Sequence, residues 1–370
     1  MQIRAAVTRA PRAPQSLESL ELEEPRDDEI LVRVVATGVC HTDIAMRDQA
    51  FPVPQPIVLG HEGAGVVERV GGAVRGVAAG DRVVMSYDSC GACASCLESE
   101  ATYCHDFFGR NFGGSRADGS SPLSRGAERI HGNFFGQSSF ATHALCHARN
   151  IVKVGADAPL ERLGPLACGV QTGAGAVMNA LRVRAGESIA VFGTGSVGLS
   201  AIMAARVVGA TTIVGVDLNA RRLELALELG ATHVVDPTER DPVAEILRLT
   251  HGGAMHALDT TASARVIRQA VDSLAPRGTC GLVGASDAGT EVSLDVLHLM
   301  TAGRSVRGIV EGDSVPQLFI PQLIELNRQG RFPYERMITY YELDAIEQAF
   351  ADSASGAVIK PVVRIGQAPA

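Results

Sequence analysis

The chain lacks any long uncharged apolar segment. Within its 370 residues, no such run reaches the roughly 18 residues that a membrane helix needs. The opening stretch MQIRAAVTRAPRAP carries charges and prolines where a signal peptide has an apolar region. The net charge of −8 argues against a protein that holds a nucleic-acid backbone by charge. We therefore expect a cytoplasmic protein that binds neither membrane nor nucleic acid.

The length and the 46% hydrophobic content predict two globular domains. In the first 160 or so residues, short β-branched runs such as ILVRVVAT (30–37) and GVVERV (65–70) alternate with Gly, Pro and Asp turns, which predicts a β-rich domain. Residues 105–140 are rich in Gly and Ser and show no periodicity. We interpret them as a long loop region.

Strands and helices alternate from about residue 186. SIAVFG (188–193) and TTIVGVD (211–217) have the pattern of buried strands, and an apolar helical stretch (196–210) lies between them. A second helical pattern, NARRLELALELG, ends at a glycine. This alternation predicts a parallel, doubly wound sheet. From about residue 310 the pattern returns to mixed α and β.

A G-x-G-x-x-G motif is formed by Gly193, Gly195 and Gly198. Such a match is weak by itself in a chain with 40 glycines. Here it follows a predicted strand, opens a predicted helix at Ser196, and is followed by Asp217 at the end of the next strand, which is typical of dinucleotide sites. The glycines permit a tight turn, close approach of a pyrophosphate, and close packing of helix on strand.

Asp217 favours NAD over NADP, because a carboxylate accepts hydrogen bonds from ribose hydroxyls and repels a 2′-phosphate. Arg221 and Arg222 favour NADP instead, since either could bind the 2′-phosphate. The strictness of the preference for NAD stays open at this point.

Four of the eight cysteines follow the spacing C-x2-C-x2-C-x7-C: Cys90, Cys93, Cys96 and Cys104. Four thiolates at this spacing suit a structural zinc. An iron–sulfur cluster is the alternative, but its usual motif places the fourth cysteine after three residues and before a proline. Here the fourth cysteine comes after seven residues and precedes His105.

A second metal set can be drawn from Cys40, His61 and Cys168. Two thiolates and one imidazole make the Cys₂His set of a catalytic zinc with an open fourth position. His61 stands beside Glu62 in a glycine-rich frame. Each residue alone reads more simply as a structural one, and spacing does not show that the three meet.

Together, the GHE-x2-G-x5-G-x2-V frame, the four-cysteine segment and the late G-x-G-x-x-G resemble the zinc-containing medium-chain alcohol dehydrogenases. The resemblance covers essentially the whole chain and is strongest to the bacterial aryl-alcohol (benzyl-alcohol) dehydrogenases. It is carried by VATGVCHTDIAMRDQAFPVPQPIVLGHEGAGVVERVG, FFGQSSFATHAL, LGPLACGVQTGAGAVMNAL and RGIVEGDSVPQLFIPQLIELNRQGRFP.

The resemblance implies an α/β protein of two domains. A GroES-like β-rich catalytic domain would comprise residues 1–169 and 310–370, with a structural zinc lobe at about 88–106. A Rossmann NAD-binding domain with a doubly wound parallel sheet would span residues 170–309. Two zinc ions per subunit, NAD, a small-molecule alcohol or aldehyde substrate, and a homodimer or homotetramer are further implications.

By the family pattern, Cys40, His61 and Cys168 hold the catalytic zinc, and Glu62 sits behind it. Asp43 matches an acid that orients the histidine ligand.

Thr42 matches the residue that takes the alcohol proton. Many relatives carry a histidine that passes this proton to solvent, but the corresponding position here is Ala45. His41 then either continues the relay or contacts the cofactor pyrophosphate.

The resemblance also assigns cofactor contacts outside the glycine motif. Thr172 and Val197 match residues that pack against the nicotinamide, and Arg364 matches a pyrophosphate contact. The full cofactor-binding set is Thr172, Gly193, Gly195, Ser196, Val197, Gly198, Asp217, Arg222, Val283 and Arg364.

The implied activity is reversible oxidation of a primary, aromatic or allylic alcohol to its aldehyde, with hydride transfer to NAD. Alternatives on the same scaffold are a terpene, aliphatic, polyol or glutathione-adduct dehydrogenase. A zinc-free quinone or enoyl reductase conflicts with the retained ligands, and a non-catalytic NAD-binding protein conflicts with the complete ligand and proton-acceptor sets.

An aromatic cluster is predicted near the four-cysteine segment and the loop region. It either lines a pocket that accepts aromatic substrates or anchors the loop. Its members are Tyr87, Phe107, Phe108, Phe112, Phe134 and Phe135.

Overall fold

The computed structural model describes residues 1–366. The strands are β1 (Gln2–Thr8), β2 (Ser16–Leu22), β3 (Glu29–Gly38), β4 (Ile57–Val58), β5 (Glu62–Val70), β6 (Arg82–Met85), β7 (Leu123–Arg125), β8 (Glu128–Ile130), β9 (His143–His147), β10 (Ile151–Lys153), β11 (Ser188–Phe192), β12 (Thr212–Val216), β13 (His233–Val235), β14 (Ala254–Asp259), β15 (Leu274–Leu282), β16 (Ser305–Gly308), β17 (Ile338–Glu342) and β18 (Lys360–Arg364).

The α-helices begin at polar caps in several cases; Asn219 and Asp241, for example, accept backbone N–H groups of the helices that they precede. In residues 1–366 no helix has both the length and the apolar character to cross a bilayer. The helices are α1 (His41–Arg47), α2 (Ala94–Leu97), α3 (Phe107–Phe112), α4 (Gly169–Gly175), α5 (Ser196–Val208), α6 (Ala220–Leu229), α7 (Pro242–Leu249), α8 (Ala264–Asp272), α9 (Val296–Ala302), α10 (Pro316–Arg328) and α11 (Ile346–Ser355).

Two sheets build the β-rich part of the chain. One has the order β4-β1-β2-β7-β8, and the other has the order β10-β6-β5-β3-β18-β17, with β9 also paired to β3. The long strands β3 and β5 confirm the strands predicted at 30–37 and 65–70. They bury alternating apolar residues in a shared core that includes Ile30, Val32, Val34, Val67, Val83 and Met85.

The third sheet has the order β13-β12-β11-β14-β15-β16, and all of its strand pairs are parallel. This is the doubly wound order of Rossmann folds, with β11 first in the chain and central in the sheet. The predicted strands at 188–193 and 211–217 are confirmed as β11 and β12. Burial on both faces of the sheet explains their unbroken apolar character.

The chain divides into two compact units. The first comprises Met1–Cys168, Val315–Gln322 and Glu335–Ala370, and the second comprises Gly169–Ser314 and Leu323–Tyr334. Residues 310–314 and 323–334 were predicted to belong to the catalytic domain, but in the structure they pack with the second unit. Gly312 lies against Gly175 of α4, and the Arg331 guanidinium donates to the Val207 carbonyl.

The prediction of a loop over residues 105–140 is wrong in part. The segment contains α3 and the hairpin of β7 and β8, and β7 pairs with β2. Arg116 anchors the stretch between them: its guanidinium donates to both Glu29 carboxylate oxygens at 2.6 and 2.9 Å and to Glu23. Arg116 and Glu29 are 4% and 2% exposed, so this pair is buried.

We expect Arg116→Met to lower the free energy of unfolding by about 3–5 kcal/mol, because it leaves the Glu29 carboxylate buried without its cation. Denaturant unfolding followed by circular dichroism measures the change. The exposed Arg125, which pairs with Glu18, is the control; Arg125→Met should cost less than about 1 kcal/mol. Equal losses in the two variants would contradict the role of the buried pair.

Candidate active site

The register of three antiparallel strands brings distant residues to one end of a sheet. Gly38 at the end of β3 pairs with Glu62 at the start of β5, and on the other side of β3 it pairs with Val362 of β18. Cys40 follows the first of these strands by two residues, and His61 immediately precedes the second. They meet because antiparallel strands place the end of one beside the start of the next.

Cys168 reaches the same place through a short 3₁₀ turn, Gly164–Ala167. The turn is fixed by the Ser86 hydroxyl, which donates to the Ala167 carbonyl at 2.8 Å. Gly164 allows a close approach, since a Cβ there would lie 2.2 Å from the Glu62 carbonyl oxygen.

The outcome is a compact set of metal-ligating groups. One potential ligand atom each from Cys40, His61, Glu62 and Cys168 lies within 4.8 Å of all the others. The structure thus brings together the three predicted zinc ligands and the predicted acid behind them.

Asp43 orients the His61 ring through a hydrogen bond. Its carboxylate lies 3.0 Å from His61 Nδ1 and accepts the backbone N–H groups of Gly60 and Cys40 at 3.1 and 3.0 Å. Asp43 is fully buried, and His61 is 1% exposed. With Nδ1 on the carboxylate, the other ring nitrogen is the one left to ligate.

His61 Nε2 is buried and has no hydrogen-bond partner among residues 1–366. An orphaned imidazole nitrogen facing two thiols is costly unless a further group satisfies it. Interaction with the Cys168 thiol holds the pKa of Cys40 well below its usual range, with Lys360 adding to the effect. The donor set therefore fits a zinc ion, which binds thiolate and neutral imidazole.

A buried ion pair lies behind this set. The Lys360 ammonium donates to both oxygens of Glu62 at 2.8 and 3.0 Å, and to the Val39 carbonyl at 3.3 Å. Burial is the largest influence and opposes its charge, but Glu62, Cys40 and Cys168 together raise the pKa of Lys360. Gly38 makes room for the pair, because a Cβ there would lie 1.9 Å from Glu62 Oε2.

Sequence reasoning missed Lys360. One signal was present: the chain uses arginine almost everywhere, and Lys153 and Lys360 are the two lysines among its 33 basic residues. The compact ammonium of lysine fits a narrow buried space more easily than the planar guanidinium of arginine does. A lone lysine in an apolar strand marked a position of interest.

Helix α1 carries the remaining predicted catalytic residues. The Thr42 hydroxyl lies 3.8 Å from Cys40 Sγ. His41 is the exposed first residue of the helix, and Ala45 is half-buried on its next turn. Thr42 therefore lies next to one of the predicted ligand thiols.

The four other predicted metal cysteines also converge. Their sulfur atoms lie within 4.8 Å of one another, and those of Cys90 and Cys96 are 3.9 Å apart. A tetrahedral zinc–thiolate site places its sulfurs about 3.8 Å apart. Backbone N–H groups of Ala92 and Cys93 point at Cys90 Sγ and lower the pKa of that thiol to about 6. The pKa of Cys93 is lowered in the same way, whereas burial raises the pKa of Cys96 and Cys104.

The glycine motif connects β11 to α5. Gly193 has a φ of +86°, which favours glycine, and its N–H donates to the Val216 carbonyl at 2.8 Å. A Cβ on Gly198 would lie 1.8 Å from the Gly193 carbonyl oxygen. Gly195 caps the helix, whose first turn contains Ser196 and Val197. The loop thus has the shape of a phosphate-binding turn.

Asp217 directly follows β12, the strand beside this loop. Its carboxylate accepts the Thr194 N–H at 2.7 Å, the Thr194 hydroxyl at 3.0 Å and the Asn219 N–H at 2.9 Å. Together with Gly193, Gly195 and Arg222, it lines a cavity of about 430 Å³. Arg222 Nε is buried and has no hydrogen-bond partner within the described part of the chain, whereas Arg221 is exposed.

The other predicted cofactor residues lie in different surroundings. Thr172 is on α4, which packs on the first turn of α5: a Cβ on Gly173 would lie 2.0 Å from the Val197 carbonyl oxygen. Val283 directly follows β15 and donates its N–H to the Asp259 backbone carbonyl. Arg364 belongs to the first unit, where it faces Glu161 at 3.6 Å and covers the Tyr340 ring at 4.1 Å. Arg364 and the glycine loop thus belong to different units.

Comparison with known proteins gives matches along nearly the whole chain. Residues 26–156 match the alcohol dehydrogenase GroES-like domain, and residues 196–327 match the zinc-binding dehydrogenase domain. A geraniol dehydrogenase from Castellaniella defragrans is 48% identical over 361 residues, covering 97% of this chain and 96% of its own.

Two solved structures are similar over 99% of this chain and 100% of their own. An alcohol dehydrogenase zinc-binding domain protein from Burkholderia ambifaria is 55% identical, with a TM-score of 0.98. A benzyl alcohol dehydrogenase from Acinetobacter calcoaceticus is 47% identical, with a TM-score of 0.97.

The chain belongs to the zinc-binding alcohol dehydrogenases with a GroES-like domain and a Rossmann domain. It is a zinc-dependent alcohol dehydrogenase. The family and the sulfur geometry favour zinc over an iron–sulfur cluster in the four-cysteine lobe.

We expect Asp43→Asn to weaken zinc binding by Cys40, His61 and Cys168 by about 10–100-fold, because the amide no longer holds the imidazole by charge. Zinc per subunit after dialysis against a chelator should fall towards one ion, with the four-cysteine zinc retained. The assay is elemental analysis.

Asp48→Asn is the matched control, because Asp48 follows the same helix and pairs with Arg47 instead. It should keep the wild-type zinc content. If Asp43→Asn also kept it under conditions that strip the wild type partially, Asp43 would not support the metal.

Proposed function

We propose that the protein oxidises primary aromatic or allylic alcohols to aldehydes, reversibly, with NAD as hydride acceptor. The observation that carries the substrate class is the aromatic environment of His61. The Phe135 ring stacks on the imidazole with centroids 4.6 Å apart, and the Phe134 ring meets it edge-on at 5.6 Å. Flat apolar rings beside the metal ligand favour flat, apolar substrates.

The aromatic cluster continues outward from His61. Phe112 and Phe107 contact Phe135 at 5.1 and 6.5 Å, and Phe108 stacks on Phe112. Phe135 has a φ of +51°, unusual for a bulky residue and typical of functional segments. The names of the geraniol and benzyl alcohol dehydrogenase relatives agree with such a substrate class.

Zinc held by Cys40, His61 and Cys168 would supply Lewis-acid chemistry, lowering the pKa of a hydroxyl at its open position and polarising a carbonyl. Asp43 keeps His61 oriented and in the tautomer that ligates through Nε2. Thr42 accepts the proton of the alcohol. His41, exposed one residue earlier, either passes that proton to solvent or contacts the cofactor, since Ala45 cannot.

Asp217 supports NAD as the cofactor, because its carboxylate lines the cavity next to the glycine loop. Arg222 also lines that cavity. A homodimer or homotetramer and a cytoplasmic location remain predictions from the sequence.

Initial rates of NAD reduction with benzyl alcohol, geraniol, ethanol and sorbitol test the substrate class. We expect the highest kcat/KM for the aromatic and allylic alcohols. Phe135→Leu should lower kcat/KM for benzyl alcohol about tenfold relative to ethanol, because a stacking surface is lost. A higher kcat/KM for sorbitol would instead assign a polyol dehydrogenase.

Phe108→Leu is the control for this variant. Phe108 belongs to the same aromatic cluster but is 69% exposed, and its ring contacts in the described part of the chain are with Phe107 and Phe112 and not with His61. Its substrate preference should match that of the wild type.

Thr42→Ala should lower kcat about 10²–10⁴-fold, the range for loss of a positioned proton acceptor. Thr42→Ser keeps a hydroxyl and should retain most of the activity. Zinc content and NADH affinity, measured on the same preparations, should stay at wild-type values. Full activity in Thr42→Ala would exclude Thr42 from the proton path.

A further inference from the structure

A buried carboxylate lies next to Thr172. Glu311 Oε2 accepts the Gln171 side-chain amide at 3.1 Å and the Thr172 hydroxyl at 3.4 Å. The Ser314 hydroxyl donates to the Glu311 carbonyl at 2.6 Å and lies 3.1 Å from the Gln171 amide oxygen. All four residues are at most 9% exposed. The network fixes the direction of the Thr172 hydroxyl.

The backbone that carries this carboxylate is strained. Glu311, Gly312 and Asp313 have φ values of +49°, +68° and +48°. Three consecutive residues with left-handed backbone, two of them not glycine, persist only where surrounding contacts impose them. Here Gly312 presses on α4: a Cβ on Gly312 would lie 2.5 Å from the Gln171 carbonyl oxygen. The strain places the Glu311 side chain against the start of α4.

The Gln171 amide and the Thr172 hydroxyl both donate to the same oxygen of Glu311, so the side chain acts as a hydrogen-bond acceptor towards α4. The neighbouring acid Asp313 has its own cation, because the Arg307 guanidinium donates to it. The two acids on this segment therefore have different partners and can be separated by mutation.

We propose that Glu311 is a positioning residue for the nicotinamide end of the cofactor site, and that its charge favours the oxidised cofactor. The inference rests on the proposed function and on the placement of Thr172 against the nicotinamide that the family resemblance implies. The ring is a cation in NAD⁺ and neutral in NADH. A buried negative charge one hydrogen bond behind Thr172 stabilises the cation more, because charges interact strongly in a water-poor site.

Dissociation constants of NAD⁺, NADH and ADP-ribose, measured by calorimetry, test the inference. Glu311→Gln keeps the volume and an acceptor oxygen but removes the charge. It should weaken NAD⁺ binding about 5–10-fold, with little change for NADH. ADP-ribose has no nicotinamide, so its binding should be unchanged. Glu311→Asp keeps the charge and should keep the wild-type ratio of NAD⁺ to NADH affinity more closely than Glu311→Gln.

Asp313→Asn is the matched control, since it removes a charge from the adjacent residue and should leave that ratio unchanged. Equal weakening of all three ligands by Glu311→Gln would indicate a merely structural role and overturn the inference, as would no change in any of them. A wild-type protein that bound none of the three ligands would instead contradict the proposed function itself.

Discussion

The site depends on the antiparallel pairing of β3 with β5 on one side and β18 on the other. Gly38 is opposite both Glu62 and Val362, so three strands from separate parts of the chain lie side by side at this point. A slip of one residue in either pairing would turn Glu62 or Lys360 to the opposite face of the sheet. The sheet register, rather than local sequence, thus decides whether the ligands meet.

Buried charges disfavour any other register of these strands. Glu62 and Lys360 are almost completely buried, and each is tolerable there only because the other is present. Asp43 is compensated by the histidine and by two backbone N–H groups. A misaligned strand would leave these groups without partners, at a cost of several kcal/mol each. The same charges that prepare the ligands also select the fold that assembles them.

The glycine loop of the nucleotide-binding unit depends on residues that are close together in the sequence. The loop is defined by one strand, one turn and one helix, so it could be predicted with its neighbours from about thirty residues of sequence. The Glu311 network is different, since it joins the start of α4 to a strained segment some 140 residues later. No local pattern marked Glu311, and residues 310–314 were predicted to lie in the catalytic domain.

The sequence by itself determined the periodic strands and helices, the four-cysteine lobe and the glycine motif, because each depends on residues close together in the chain. It also named the three distant zinc ligands, but only through resemblance to a family. Tertiary structure alone decided that Cys168 approaches Cys40 and His61, that Lys360 pairs with Glu62, and that Arg116 orders a glycine-rich segment without periodicity. These contacts join residues tens to hundreds of positions apart, and only strand pairing and burial select which of the possible partners meet.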